Sequence, residues 1–238
     1  MRLDVALVER GLARSRTHAA TLIAGGRVSV NGRPGTKASL RIGPDDVLTA
    51  DAEPWVSRAA HKLLGALPDS GFTISGRALD AGASTGGFTQ VCLARGAELV
   101  YAVDVGHDQL APQLRSDPRV RVREGLNLRD LTLGDLDGQP VDRIVGDVSF
   151  ISLRLLLPAL DGVLGPAGEA LLLVKPQFEV GRERLGAGGV VRDERLRREV
   201  VDAVVADAAT LGWRELWRGV STLPGASGNV EHLVRFSR

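Results

Sequence analysis

The residues best able to do chemistry lie in one short stretch and at three lysines. Residues 78–88 read Ala-Leu-Asp-Ala-Gly-Ala-Ser-Thr-Gly-Gly-Phe. An apolar strand over 77–79 runs into one acid, Asp80, and then into a turn of small residues. Phe88, Val91, Cys92 and Leu93 predict a helix over 87–95. Strand, glycine-rich turn and helix bring backbone N–H groups and a helix N-terminus up to a ligand. The spacing excludes two ligands. Ala83 stands where a dinucleotide fingerprint needs its second glycine, and no Gly-Lys-Ser/Thr follows to cradle a phosphate. Of 30 basic residues, only Lys37, Lys62 and Lys175 are lysine; 27 are arginine. Arginine stays charged at any accessible pH, whereas lysine can give up its proton. A lysine in this chain therefore points to a site.

Further elements position these groups. Helical patterns begin at residue 57, carrying Lys62 beside Leu63 and Leu64, and near Pro158. An apolar strand over 99–105 ends at Asp104, about 20 residues past the turn, where a carboxylate can accept ribose hydroxyls. A third strand over 120–122 precedes Asn127, a candidate wall of a base pocket. A strand over 141–150 ends on Asp147, and another over 170–174 ends at Lys175. Ligands of open α/β sheets bind at the carboxyl ends of strands, so an acid and a lysine face one site. Residues 181–191, rich in glycine and arginine, are expected to be mobile. A helix over 193–211 and strands over 213–220 and 230–236 complete the chain, with Glu231 opening the last strand.

Composition bounds the class. The 238 residues are 44% hydrophobic and 25% charged, enough for one large domain and a small one. One cysteine, Cys92, allows no intrachain disulfide and is expected in the core. No signal core or membrane-length apolar run appears, so the default compartment is the cytoplasm. Charge is uneven: residues 1–41 hold eight basic and two acidic residues, net +6, against −5 for the remainder. A basic head on an acidic body suits a polyanionic partner. The head predicts a helix over 2–12 and a helix over 16–24 capped by Ser15. A hairpin at Asn31-Gly32 follows, with short strands through Leu40, Ile42 and 46–49.

Several motifs resemble known families. Acid-x-Gly-x-x-x-Gly-Gly after a strand resembles the first motif of S-adenosylmethionine-dependent methyltransferases, and its Gly-Gly-Phe ending resembles the FtsJ-like RNA 2'-O-methyltransferases. The head resembles the RNA-binding domain of a small-subunit ribosomal protein, also found in pseudouridine synthases. That likeness rests on Arg2-Leu3-Asp4, Gly11-Leu12, Ser15-Arg16, Ala19, Leu22-Ile23, Gly26, Val28, Val30-Asn31-Gly32, Lys37 and Ser39. It implies an RNA face on the second helix and hairpin, with Arg14, Arg16, His18, Arg27 and Lys37 as candidates. The whole chain resembles the TlyA family, sometimes labelled hemolysin A. The shared motifs are Trp55-Val56-Ser57-Arg58, His61-Lys62-Leu63, residues 79–88, Asp147-Val148-Ser149-Phe150, Lys175-Pro176-Gln177-Phe178-Glu179 and Pro224-Gly225-Ala226-Ser227-Gly228-Asn229-Val230-Glu231. Ala59 departs from the pattern, which has glycine there.

The resemblance implies an α/β fold: a small α+β RNA-binding domain over 1–50, a linker over 51–57, and a Rossmann-like methyltransferase sheet flanked by helices over 58–238. It implies a Lys-Asp-Lys-Glu tetrad at Lys62, Asp147, Lys175 and Glu231, transferring methyl to the 2'-hydroxyl of a cytidine in ribosomal RNA. Cofactor contacts are expected from Asp80, Gly82, Ala83, Ser84, Thr85, Gly86, Gly87, Phe88, Asp104, Asn127 and Asp147, with S-adenosylmethionine as cofactor and no metal. Ribosomal RNA or ribosomal subunits are the expected partners of a monomer with no membrane association. The chemistry agrees: a ribose hydroxyl is a poor nucleophile and needs a positioned base. Cytosine carbon methylation would need a cysteine nucleophile, and exocyclic amine methylation an Asn/Asp-Pro-Pro motif where this chain reads Asp147-Val148-Ser149-Phe150. The alternatives are a non-catalytic RNA-binding assembly factor and a membrane-lysing hemolysin.

Overall fold

The chain folds as two units, Met1–Pro54 and Trp55–Arg238, in a computed structural model that describes residues 1–13, 15–51 and 54–238. In the first unit, the Ser15 side chain accepts the His18 backbone N–H at 3.1 Å and starts helix α2 (Arg16–Ala24), which follows α1 (Leu3–Glu9). Leu3, Ala6 and Leu7 of α1 and Ala19, Leu22 and Ile23 of α2 share one small core with Val28, Ile42 and Leu48. Asn31 and Gly32 take φ of 50° and 76°, the left-handed pair that a tight hairpin requires. They join β1 (Val28–Val30) to β2 (Arg33–Pro34), and β3 (Leu48–Ala50) pairs with the other edge of β1. The strands expected through Leu40 and Ile42 do not form. Gly35, Gly43 and Pro44 interrupt that segment, which makes one isolated bridge between Arg2 and Arg41. The second unit starts inside the expected linker: Val56 is buried and Trp55 half-buried against its core.

The second unit runs α3 (Ala59–Ser70), β4 (Gly76–Ala81), α4 (Gly87–Ala94), β5 (Ala97–Asp104), α5 (Pro112–Arg115), β6 (Val120–Glu124), β7 (Val141–Gly146), α6 (Leu157–Val163), β8 (Leu164–Val174), α7 (Pro176–Glu179), α8 (Glu194–Thr210), β9 (Arg214–Val220) and β10 (His232–Ser237). The strands form one sheet in the order β6-β5-β4-β7-β8-β10-β9. The first five are parallel; β10 is antiparallel to both β8 and β9. Alternation along the strands feeds two cores. Leu79, Tyr101, Val103, Ile144 and Leu172 face Leu157, Leu160 and Val204 of α6 and α8. Ala78, Val100, Ala102, Val145 and Leu171 face Leu63, Val91 and Leu114 of α3, α4 and α5, and Cys92 is in this second core.

Three expected boundaries shift. β7 stops at Gly146, paired with Ala81, because its neighbour β4 turns away at Gly82. Residues 147–150 are therefore a loop, not a strand end. β8 begins at Leu164, paired with Val141, so Gly165 and Pro166 are inside it through a register irregularity. β10 begins at His232, leaving Glu231 one residue outside.

Asp80 is fully buried near the end of β4, and its Oδ2 accepts the Thr89 hydroxyl of α4 at 2.6 Å. Among the described residues its Oδ1 has no hydrogen-bond partner. Burial pushes this carboxyl up to about 7; Thr89 pulls it down, and the negative Asp147 and Asp104 push it further up. The folded chain thus holds the proton more tightly than the unfolded one, where aspartate titrates near about 3.9. The stability this contributes is full below about pH 4 and is lost as pH rises through 7. Asp80→Asn should remove that decline, on the order of 4 kcal/mol, from urea-unfolding free energies compared between pH 4 and 8. Parallel pH curves for parent and variant would contradict it.

Candidate functional site

Four side chains from four separate elements converge beyond the carboxyl ends of β7 and β8. Lys62 comes from the buried face of α3, Asp147 from the loop after β7, Lys175 from the residue between β8 and α7, and Glu231 from the residue before β10. Antiparallel β10 brings Glu231 to this edge: His232 pairs with Val174, so the residues just beyond the pair are Glu231 and Lys175. Lys62 Nζ lies 2.6 Å from Glu231 Oε2 and 3.5 Å from Asp147 Oδ2. Lys175 Nζ lies 2.6 Å from Asp147 Oδ1 as an ion pair, and donates to Ser149 Oγ at 2.7 Å. Gln177 Nε2 donates to Glu231 Oε1 at 3.2 Å. Two ammonium groups and two carboxylates thus balance in a cluster where Glu231 is 2% exposed.

Asp147 stands where two cavities meet. One, of about 480 Å³, is lined by Gly82, Ser84, Asp104, Gln109 and Asn127, with Leu126, Leu128, Val148 and Leu156 as an apolar wall. The other, of about 810 Å³, holds Lys62, Lys175, Gln177, Phe178 and Glu231. Ser84, Asp147, Ser149, Phe150 and Ile151 line both. In the first cavity Asp104 accepts the backbone N–H groups of Ser84 and Gly106, both at 2.8 Å. A carboxylate has about four acceptor sites, so Asp104 keeps capacity for ligand hydroxyls while the apolar wall suits a flat base. Among the described residues, no three His, Cys, Asp or Glu side chains converge as metal ligands, and no helix is long and apolar enough to cross a membrane.

The glycine turn divides. Gly82 and Ser84 line both the first cavity and a smaller recess of about 150 Å³, which Ala83, Thr85, Gly87 and Phe88 also border. Asp80 and Gly86 line neither. Gly86 has φ of 95°, and a Cβ there would meet Leu114 at 2.3 Å and Leu110 at 2.8 Å. The backbone conformation and the packing of Leu110 and Leu114 both require glycine there. Asp80 braces strand to helix rather than facing the cavity.

Sequence reasoning named neither Ser149, Phe150 nor Gln177 as site residues. Phe150 is 92% exposed with φ of 66°, its ring 5.4 Å from that of Phe178. An aromatic three residues past the acid that follows β7 was the available sequence signal. Glu179 fastens the same loop: it accepts the Ser152 hydroxyl at 2.6 Å and the Leu153 N–H at 2.7 Å, and burial raises its carboxyl.

In the first unit, Arg16 is exposed and pairs with Asp4 at 3.0 Å, and Lys37 is exposed. His18 and Arg27 are half-buried, and Arg14 lies outside the described residues.

Residues 55–238 match the FtsJ-like methyltransferase model and residues 1–48 the S4 domain model. The Mycobacterium tuberculosis 16S/23S rRNA (cytidine-2'-O)-methyltransferase TlyA is 51% identical over 237 residues, covering 98% of this chain and 88% of that protein. The chain belongs to the TlyA family. A solved structure from Streptococcus thermophilus, given the provisional name hemolysin, shares 39% identity and a TM-score of 0.78 over all of this chain and 88% of its own. The second unit also shares its fold with NodS, an N-methyltransferase of Bradyrhizobium japonicum solved with S-adenosyl-l-homocysteine. That likeness is 16% identity and a TM-score of 0.54, over 79% of this chain and 89% of NodS.

The buried cluster carries a stability consequence. Removing one partner of a buried pair leaves a charge uncompensated, at a cost of about 3–5 kcal/mol. Glu231→Leu alone should cost near the lower figure, because Asp147 still faces Lys62. Lys62→Met in the same chain should restore at least about half of it. Strictly additive losses in a urea-denaturation cycle would refute the coupling.

Proposed function

We propose that this chain transfers a methyl group from S-adenosylmethionine to the ribose 2'-hydroxyl of a cytidine in ribosomal RNA, acting as a monomer in the cytoplasm. The observation that carries the reading is the meeting of two cavities at Asp147, one suited to an adenosyl group and one holding the Lys-Asp-Lys-Glu cluster. A volume of about 480 Å³ falls within the roughly 300–1,000 Å³ of small-molecule sites. Asp104 would hold ribose hydroxyls, Asn127 and the apolar wall the base, and Ser84 with the backbone of the glycine turn the amino-acid end. When bound, the cofactor supplies an electrophilic methyl group on a sulfonium.

The chain's own residues do the rest. Lys175, in its neutral amine form, takes the hydroxyl proton and becomes the ammonium. Asp147 fixes Lys175 from one oxygen and reaches Lys62 with the other, so both amines are aligned on one carboxylate. Glu231 holds Lys62, and Gln177 holds Glu231. Exposed Phe150, with half-buried Phe178 beside it, offers an aromatic surface for the base of the target nucleotide. A positioned base is worth about 10²–10⁴ in rate, and alignment adds to that. Residues 1–50 are the RNA-docking domain, with Arg16, His18, Arg27 and Lys37 on its RNA face. The family's RNA chemistry and the net charge of +6 over residues 1–41 support this assignment.

The test is mass mapping of 2'-O-methyl groups on ribosomal RNA from cells with and without this protein. One or more cytidines should lose the modification when it is absent; an unchanged map would overturn the function. Removing residues 1–50 should leave cofactor binding intact and weaken RNA binding strongly. Affinity of the whole protein should also fall steeply with salt, each phosphate contact adding about 0.7–0.9 to the log–log slope. A truncated protein that binds RNA as tightly, with the same slope, would remove the head from the docking role.

A further inference from the structure

Asn229 is a buried polar residue that the mechanism above does not use. It is 2% exposed, yet it carries no charge and touches neither lysine. Its carboxamide joins two segments that are far apart in sequence. Oδ1 accepts the Val191 N–H at 2.9 Å, and Nδ2 donates to the Gly189 carbonyl at 2.9 Å. Both ends of the amide are satisfied, so its orientation is determined by its partners. The segment it grips, residues 181–191, lines the 810 Å³ cavity through Gly181, Leu185 and Gly189, facing the space that the RNA strand must enter.

The other side of Asn229 leads to Glu231. Its backbone carbonyl accepts the Gly225 N–H at 2.9 Å and closes the 225–229 turn. That turn runs hard against the catalytic carboxylate: a Cβ on Gly225 would stand 2.5 Å from Glu231 Oε1. Two residues past Asn229, the Glu231 carbonyl is held by the Ser221 N–H at 2.8 Å. The place of the Glu231 carboxylate therefore depends on a turn whose outer end is pinned to the cavity wall by one side chain.

We infer that Asn229 is a positioning residue for Glu231, tying the 181–191 wall of the RNA cavity to the carboxylate that holds Lys62. RNA seated against that wall then finds Glu231 and Lys62 already in register, and loss of the tie misplaces the carboxylate without touching the cofactor cavity. Displacements near 1 Å can cost about 10² in rate. The role presupposes methyl transfer at this site.

The experiment measures kcat and KM for ribosomal RNA, and cofactor Kd by calorimetry, for the parent, Asn229→Leu and Asn229→Asp. Asn229→Asp keeps an acceptor for Val191 and sets an oxygen against the Gly189 carbonyl, so it breaks only one arm of the tie. Both variants are expected to lose at least about tenfold in kcat, with KM and cofactor Kd within about threefold of the parent. If Asn229→Leu does not bind cofactor, Asn229→Asp decides alone. The second arm repeats Asn229→Asp in a Glu231→Gln background. A residue acting through Glu231 should there cost less than about twofold, because interacting sites are not additive. A kcat within about twofold of the parent, a rise in KM alone, or an equal loss in both backgrounds would overturn the inference. A parent without methyl transfer would instead overturn the function itself.

Discussion

The Asp147 carboxylate, shared between two ammonium groups, is the interaction the rest of the second unit is arranged around. One oxygen lies 2.6 Å from Lys175 and the other 3.5 Å from Lys62, and Glu231 completes the balance. Charges this far from water cost several kcal/mol each to bury, and only good pairing repays it. The pairing needs four elements at one edge of the sheet. Parallel β7 and β8 set their carboxyl ends side by side, and β10 must run the other way to deliver the residue before its start to the same edge. Reversal of the last strands is thus a requirement of the site as well as of the fold.

The same loop serves both cavities. Gly82 and Ser84 lead out of β4, residues 147–151 out of β7, and the two segments approach at the point where the strand order reverses. Ligands of open α/β sheets bind at such switch points because loops on either side part there. Glu179 anchors the β7 loop from α7, so the loop that carries Asp147, Ser149 and Phe150 is braced by the helix that follows Lys175. Asp80 braces the other side by joining β4 to α4 through Thr89, at a cost that grows as its proton is lost.

Much of this was legible in residue types and spacing. The acids and the lysine at strand ends were visible because apolar strands interrupted by one charge mark a carboxyl end, and Asp104 and Asp147 both line cavities. The hairpin at Asn31-Gly32 and the cap at Ser15 followed from local chemistry alone. The bond from Asp80 to Thr89 was not legible, since a residue's place in a turn motif does not reveal which way its side chain points. Nor was the packing of Gly86 against Leu110 and Leu114, partners more than twenty residues away. Ser149, Gln177 and Asn229 carry no charge and belong to no periodic pattern. Only the tertiary fold, which sets them against Lys175, Glu231 and Gly189, makes them readable.

The central claim is that Lys175 takes a proton and does not merely supply a charge. Lys175→Arg separates the two, since arginine keeps the charge but stays protonated to above about pH 12. Lys175→Met, uncharged and of similar length, controls for arginine's bulk. Single-turnover rates with saturating RNA and cofactor are the measurement. Both variants should lose at least about 10²-fold in methyl transfer while binding of RNA and cofactor stays within a few-fold. An arginine variant within about tenfold of the parent would contradict the account and leave alignment of the reactants as the main source of catalysis.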